Sequence, residues 1–197
     1  MATPKSQRIA ILVIAIVLTI GTLGSFLVMG LAQTNQKIDN AELQKQYDEL
    51  MKQQLKEQKA SAQLNADSSE PLNGYAARAF DAASVTDLRV ETLVPGNGQM
   101  LSATDSINAS YFGWFSDGKI FDSSKKVGLD DTPIVFALDG VVAGWTEGLT
   151  GIKVGSVVRL TIPSEKAYKG EWYGIIPPNS PLEFIVEIHN IDNSQAA

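Results

Sequence analysis

Residues 87–191 consist of short apolar runs that glycine, proline and aspartate interrupt every few residues. Alternating apolar and polar side chains predict half-buried strands. We expect strands at 87–94, 106–115, 120–122, 134–138, 156–162 and 181–191. One short helix is predicted at 144–149, ended by Gly151. The fold class is therefore α+β, an antiparallel sheet wrapped around one short helix.

The second and third strands are joined by Asp117 and Gly118. Both residue types tolerate the left-handed backbone conformation, so the pair predicts a tight hairpin with a type I′ turn.

Three segments, 111–124, 140–149 and 167–178, place aromatic and branched apolar side chains beside turns. They contain almost no side chain that could act as a nucleophile or metal ligand. The single histidine, His189, is predicted at the surface of the last strand, and no serine has a spacing from it that suggests a triad. Asp130 and Asp131 are predicted as a solvated loop tip.

A site with these side chains suits a reaction that changes conformation rather than covalent bonds. Rotation about an Xaa-Pro bond is opposed by a barrier of about 18–20 kcal/mol that comes from amide resonance. The twisted amide has a less polar carbonyl than the planar one, so an apolar pocket with a few fixed donors stabilises it selectively. Proline is therefore the predicted ligand, and no cofactor or metal is expected.

The same segments resemble those of the FK506-binding-protein (FKBP) type of peptidyl-prolyl isomerase, in the same order. The shared motifs are Tyr-Phe-Gly at 111–113, Asp-Gly-Lys-Ile-Phe-Asp-Ser-Ser at 117–124, Val-Val-Ala-Gly-Trp-Thr-Glu-Gly at 141–148, Ala-Tyr-Lys-Gly at 167–170 and Gly-Ile-Ile-Pro-Pro at 174–178, followed by Leu182 and Phe184. The resemblance covers residues 88–191, about half of the chain.

The resemblance implies a role for each matching residue. Trp145 would form the floor under the proline ring, and Tyr168 and Asp122 would make polar contacts near the twisting amide. Val142 would donate its backbone N–H to a substrate carbonyl. The walls and the closing loop would be formed by Tyr111, Phe121, Phe136, Phe184, Val141, Ile175 and Ile176.

Some residues keep an alternative or depart from the family pattern. Phe136 and Phe184 could serve the core and the pocket together. Only Asp139 and Gly140 precede the valine pair, and Trp172 and Tyr173 replace common rim residues. These differences affect substrate preference and affinity for FK506-like macrolides, the second ligand class that the resemblance implies.

Residues 9–31 form an uncharged stretch of 23 residues. A helix of this length reaches roughly 34 Å, enough to span the hydrocarbon core of a bilayer. Lys5 and Arg8 precede it, which predicts a cytoplasmic N-terminus at 1–8 and an extracytoplasmic domain in a bacterial cell membrane. A cleaved signal peptide is the competing interpretation, because Gly30 and Ala32 form a small-x-small pattern.

Residues 32–66 are rich in helix formers and predict a polar helical stalk, with a short dimeric coil as the alternative. Residues 67–85 have the composition of a linker or a loosely docked segment. The predicted isomerase domain is 86–192, followed by a tail at 193–197.

The net charge of −6 argues against a nucleic-acid partner, because phosphates attract basic surfaces. The sequence therefore predicts a membrane-anchored prolyl isomerase that assists the folding of Xaa-Pro-containing polypeptides outside the cytoplasm. The alternative is a catalytically weak binding module that holds a proline-containing partner. The presence of Trp145, Tyr168 and Asp122 together favours the enzyme.

Overall fold

The computed structural model describes residues 40–192. Two α-helices are α1 (Asn40–Asp67) and α2 (Ala143–Leu149), and short 3-10 helices lie at Ala82–Ser84 and Ser164–Lys166. The strands are β1 (Arg89–Val94), β2 (Ser106–Trp114), β3 (Ile120–Ser123), β4 (Ile134–Ala137), β5 (Val157–Ile162) and β6 (Leu182–Ile191).

The predicted anchor at 9–31 lies outside the described residues, as do the segments 1–8 and 193–197. Across residues 40–192, none of the helices combines the length and apolar character that a membrane span requires.

The six strands form one antiparallel sheet in the order β1-β5-β6-β2-β3, with β4 also paired to β2. Strand β2 is long enough to hold two partners along one edge: Ser106–Ala109 pairs with β4, and Phe112–Trp114 pairs with β3. Its other edge pairs with β6. The prediction of an antiparallel sheet with one short helix packed on it is confirmed.

Side chains of β2 alternate between two cores because successive residues of a strand point to opposite faces. Ile107, Ala109 and Tyr111 belong to the larger core on the face that carries α2. Phe112 and Trp114 belong to a smaller core on the opposite face. The aromatic residues near the end of β2 are thus divided between the face that carries α2 and the opposite face, which we call the structural face.

Residues 72–80 cover the structural face. Leu72 is buried against Phe112 and Trp114, and Tyr75 and Phe80 pack beside them. The indole N–H of Trp114 donates to the carbonyl of Arg78 at 3.0 Å. This part of the predicted linker is therefore packed on the sheet rather than free of it.

The hairpin between β2 and β3 differs from the predicted type I′ turn. A type I′ turn needs positive φ at both central residues. Here Gly118 alone has a positive φ, of +85°, and Asp117 does not. The Gly118 N–H donates to Phe115 and the Phe115 N–H to Lys119, which closes a three-residue loop. Asp117 instead accepts a hydrogen bond from the Lys119 N–H.

Helix α2 lies unusually close to β5 because two glycines face the sheet. A Cβ on Gly144 would lie 2.4 Å from Cγ2 of Ile162, and one on Gly148 would lie 2.8 Å from Cδ2 of Leu160. Both distances are shorter than any ordinary carbon contact. The predicted end of the helix near Gly151 is also observed, with φ of +84° at that residue.

We expect Gly144→Ala to destabilise the protein although alanine is the better helix former. The methyl group would overlap fully buried Ile162, and overpacking of this kind costs about 1–3 kcal/mol, more than the gain of about 1 kcal/mol in helix propensity. The matched control is Gly140→Ala, whose Cβ would meet nothing closer than 3.5 Å. Chemical denaturation measures both. Equal free energies of unfolding for the two variants would contradict the glycine-mediated contact.

Candidate active site

An aromatic cluster surrounds Trp145, the first large side chain of α2. The Trp145 ring lies 5.5 Å from Tyr111, 5.2 Å from Phe136 and 5.4 Å from Phe184, in edge-to-face geometries. Phe121 continues the cluster at 5.6 Å from Phe184. Edge-to-face pairs are the favoured packing of aromatic rings, so the cluster holds these walls in fixed orientations.

Space for this cluster depends on Gly113 in β2. A Cβ there would lie 2.6 Å from both Phe121 Cζ and Phe184 Cε1. The two rings therefore cross the strand at the one position where no side chain intervenes.

Every predicted aromatic or aliphatic site residue lies in this core or packs against it. Val141 and Val142 are half-buried and immediately precede α2. Among residues 40–192, the Val142 N–H has no hydrogen-bond acceptor. The Val142 carbonyl accepts a hydrogen bond from the Trp145 N–H and so begins α2. Ile176 is buried and Ile175 half-buried in the loop before β6.

Asp122 provides the polar edge of the cluster. Its Oδ2 accepts a hydrogen bond from the hydroxyl of Tyr111. Its Oδ1 accepts from the Asn65 side-chain amide at 2.7 Å and the Ser123 N–H at 2.8 Å, and it pairs with Lys126 at 3.4 Å. Each carboxylate oxygen has about two lone-pair sites, and among the described residues Oδ2 accepts a hydrogen bond from Tyr111 alone, so one site remains open on Oδ2.

Burial and charge shift the pKa values around Asp122. Burial, then the negative charge of Asp122, raise the pKa of Tyr111 well above its ordinary value. Burial lowers the pKa of Lys126, and Asp122 opposes that shift. The Tyr111 hydroxyl is therefore a proton donor at every physiological pH.

Tyr168 lies at the rim with its ring stacked on Tyr173 at 4.3 Å. Burial, followed by the charges of Tyr173 and Asp122, raises the pKa of Tyr168. Within residues 40–192 its hydroxyl has no hydrogen-bond partner. It is thus a neutral donor that a bound carbonyl can use.

The sequence expectation for Asp131 needs correction, and His189 has a contact that the sequence did not reveal. Asp131 is not a solvated tip, because it accepts hydrogen bonds from Ser110 and Ser124. A serine does meet the histidine, with Ser110 Oγ at 2.7 Å from His189 Nε2. Sequence spacing missed this because β2 and β6 are paired neighbours that lie far apart in the chain.

This contact cannot act as a nucleophile–base pair. The single hydroxyl proton of Ser110 is given to Asp131, so the His189 Nε2–H must be the donor to Ser110. A triad needs the opposite direction, from serine to histidine. Ser110 is also fully buried, and His189 is exposed near the end of β6, which agrees with its predicted surface position. Among residues 40–192, no three acidic or histidine side chains converge as metal ligands.

Two contacts of the site escaped the sequence analysis. Asn65 lies in the predicted stalk, yet it reaches Asp122 from the last turn of α1. Lys126 follows Asp122 by four residues and pairs with it. No local signal marks Asn65, since its neighbours are polar helix formers like those of the rest of α1.

The family model described as FKBP-type peptidyl-prolyl cis-trans isomerase matches residues 98–189. A crystal structure of FkpA from Escherichia coli superposes with a TM-score of 0.50 at 30% identity, covering 87% of this chain and 81% of that one. The chain belongs to the FKBP-type peptidyl-prolyl isomerase family. This FKBP-type domain carries the aromatic cluster, Asp122 and Tyr168 on the elements described above.

Two relatives by sequence extend the comparison. The FKBP-type isomerase FkpA of Escherichia coli K12 is 38% identical over 138 residues, 70% of this chain and 50% of that protein. The FKBP-type 22 kDa isomerase of the same organism is 41% identical over 105 residues, 53% of this chain and 50% of its own length. The chain therefore spans about half the length of these relatives.

The raised pKa of Tyr111 predicts how stability changes in alkali. Its folded pKa exceeds the unfolded value of about 10, so the stability it confers is complete below pH 10 and is lost as pH rises beyond it. In Tyr111→Phe this part of the loss is absent. Above pH 10 the free energy of unfolding should fall with pH more steeply in the wild type than in Tyr111→Phe. The two slopes should differ by up to about 1.4 kcal/mol per pH unit.

Urea denaturation from pH 7 to 11 measures both proteins. An offset at pH 7 is expected from the lost hydrogen bond to Asp122, but parallel curves above pH 10 would contradict the shifted pKa.

Proposed function

We propose that this chain catalyses the cis–trans isomerisation of Xaa-Pro bonds in polypeptides and so assists their folding. The observation that carries the proposal is the combination of a fixed aromatic cluster around Trp145 with unpaired donors at its rim. Membership of the FKBP-type family and the names of its relatives support the same activity.

Catalysis in such a site needs no covalent step. Planar and twisted amides differ in resonance, and the twisted carbonyl loses polarity as the C–N bond turns. A pocket lined by the edges of aromatic rings stabilises the less polar twisted form at no cost in free energy, whereas water stabilises the planar form. The rotational barrier falls by the difference between the two stabilisation energies.

The polar groups orient the substrate around this pocket. The proline ring packs on Trp145 between the walls. The Tyr168 hydroxyl and the Val142 N–H each donate to a substrate carbonyl, and the open site on Asp122 Oδ2 faces the amide that twists. Ile175 and Ile176 close over the bound ring. FK506-like macrolides would compete for the same surface.

A binding module without catalysis would need the aromatic floor alone. It would have no use for a carboxylate held by donors on both oxygens or for a neutral tyrosine without a partner. These groups therefore favour the enzyme.

Asp122→Ala and Tyr168→Phe should each lower kcat/KM about tenfold, the effect of one hydrogen bond to a reacting group. A protease-coupled assay on the full chain with several Xaa-Pro peptides measures the rates. The matched controls are Asp87→Ala, at an exposed carboxylate, and Tyr75→Phe, on the opposite face of the sheet. Both controls should retain the wild-type rate.

Activity should also survive a chelator. If the wild-type chain accelerates none of the peptides while it still binds them, the binding module replaces the isomerase.

For localisation we propose a single-pass membrane protein whose isomerase domain is extracytoplasmic. The uncharged segment 9–31 and the basic residues before it support this proposal. We expect the mature protein to stay in the membrane fraction after carbonate washing, because a spanning helix is held by the hydrophobic effect rather than by charge. N-terminal sequencing of the mature protein gives the decisive control. A soluble chain that begins at Gln33 would establish the signal-peptide alternative.

A further inference from the structure

The last turns of α1 lie against the site rather than away from it. The ammonium group of Lys59 lies 4.3 Å from the centre of the Trp172 ring. Cβ of Ala62 lies 3.2 Å from the position of a Cβ built on Gly174, which has a φ of +57°. Trp172 and Gly174 belong to the loop that carries Ile175 into the aromatic core.

The same helix end flanks an open cleft beside the cluster. The cleft has a volume of about 410 Å³ and is lined by Gln63 and Ala66 from α1, by Phe115 and Lys119 from the hairpin, and by Ile175. Phe115 is in ring contact with Phe121, 5.0 Å away. One wall of this cleft is therefore built from α1.

Asn65 makes the most direct contact between α1 and the polar edge of the site. Its amide Nδ2 donates to Asp122 Oδ1 at 2.7 Å, shorter than the bonds from Ser123 and Lys126 to the same oxygen. Ser123 and Lys126 lie within four residues of Asp122 and move with it. Asn65 is 57 residues away in the sequence and belongs to another element.

This difference gives Asn65 a distinct effect on the carboxylate. The terminal torsion of an aspartate is broad and roughly two-fold, so the bond from Tyr111 to Oδ2 and the local donors on Oδ1 leave its plane some freedom to turn. A donor fixed on a helix holds Oδ1 in place. Oδ2 is then kept towards Tyr111, with its remaining lone pair in a constant direction.

We propose that Asn65 is a positioning residue of the isomerase site, and that the last turns of α1 are part of the catalytic unit. The inference rests on the proposed isomerase function. It extends that unit well before residue 98, where the family match begins, and before the predicted domain start at 86.

The first test is Asn65→Ala in the full chain. Alanine has the highest helix propensity, so α1 itself is not weakened. We expect kcat to fall about tenfold with KM unchanged, because Asn65 acts on Asp122 and not on the substrate. The matched control is Gln53→Ala on the same helix, whose amide is exposed and donates to Glu57. It should keep the wild-type kcat.

The second test uses the isosteric variant Asn65→Asp, whose carboxylate would face Asp122. The titratable groups around this pair are Tyr111 of β2, Lys126 after β3 and Tyr168 after β5. Two adjacent carboxylates share a proton at low pH and repel at high pH. The activity of Asn65→Asp relative to wild type should therefore rise as pH falls from 8 to 5, while the Asn65→Ala ratio stays flat.

The outcomes separate the two proposals. An inactive wild-type chain overturns the isomerase function, and the positioning role falls with it. If the wild type is active, three results would overturn the positioning role alone. Asn65→Ala keeps the full kcat, Gln53→Ala loses as much kcat as Asn65→Ala does, or Asn65→Ala changes only KM. Loss of kcat in Asn65→Ala with KM unchanged, together with the acid recovery of Asn65→Asp, supports it.

Discussion

The close approach of α2 to the sheet is the constraint on which the rest of the structure depends. Gly144 and Gly148 flank Trp145 and remove the side chains that would otherwise separate the helix from Ile162 and Leu160. The helix can then lie deep enough for the indole to reach Tyr111, Phe136 and Phe184 together. With a methyl group at either glycine, the rings would lose their common contact and the floor of the pocket would rise.

The site combines a rigid apolar part with a polar part assembled from distant segments. The rings belong to β2, β3, β4, β6 and α2, which share one core. The donors belong to separate pieces: Tyr168 to a loop, Val142 to the entry of α2, and Asn65 to the end of α1. The proposed catalysis needs both parts, because the rings select the twisted amide only when the donors fix where it lies.

The errors of sequence interpretation share one physical cause. The predicted turn type of the hairpin was wrong. Asp117 and Gly118 permit two types of turn, and the register of β2 and β3 selects a three-residue loop. The prediction of Asp131 as a solvated tip was wrong because Ser110 of β2 and Ser124, the residue after β3, both donate hydrogen bonds to it. In both cases the pairing of β2 with β3 changed what the local residues allowed.

The sequence by itself determined the strands and the short helix, because period-two alternation is a local property. The order of its motifs, through the resemblance to the FKBP family, indicated the members of the aromatic cluster. It also located Asp122, Tyr168 and Trp145. Only the tertiary structure decided which groups hold those residues: Asn65 on Asp122, Lys59 on Trp172, and residues 72–80 on the outer face of the sheet. Such contacts depend on packing between segments that lie tens of residues apart in the chain, and a polar residue carries no local mark of the partner it will meet.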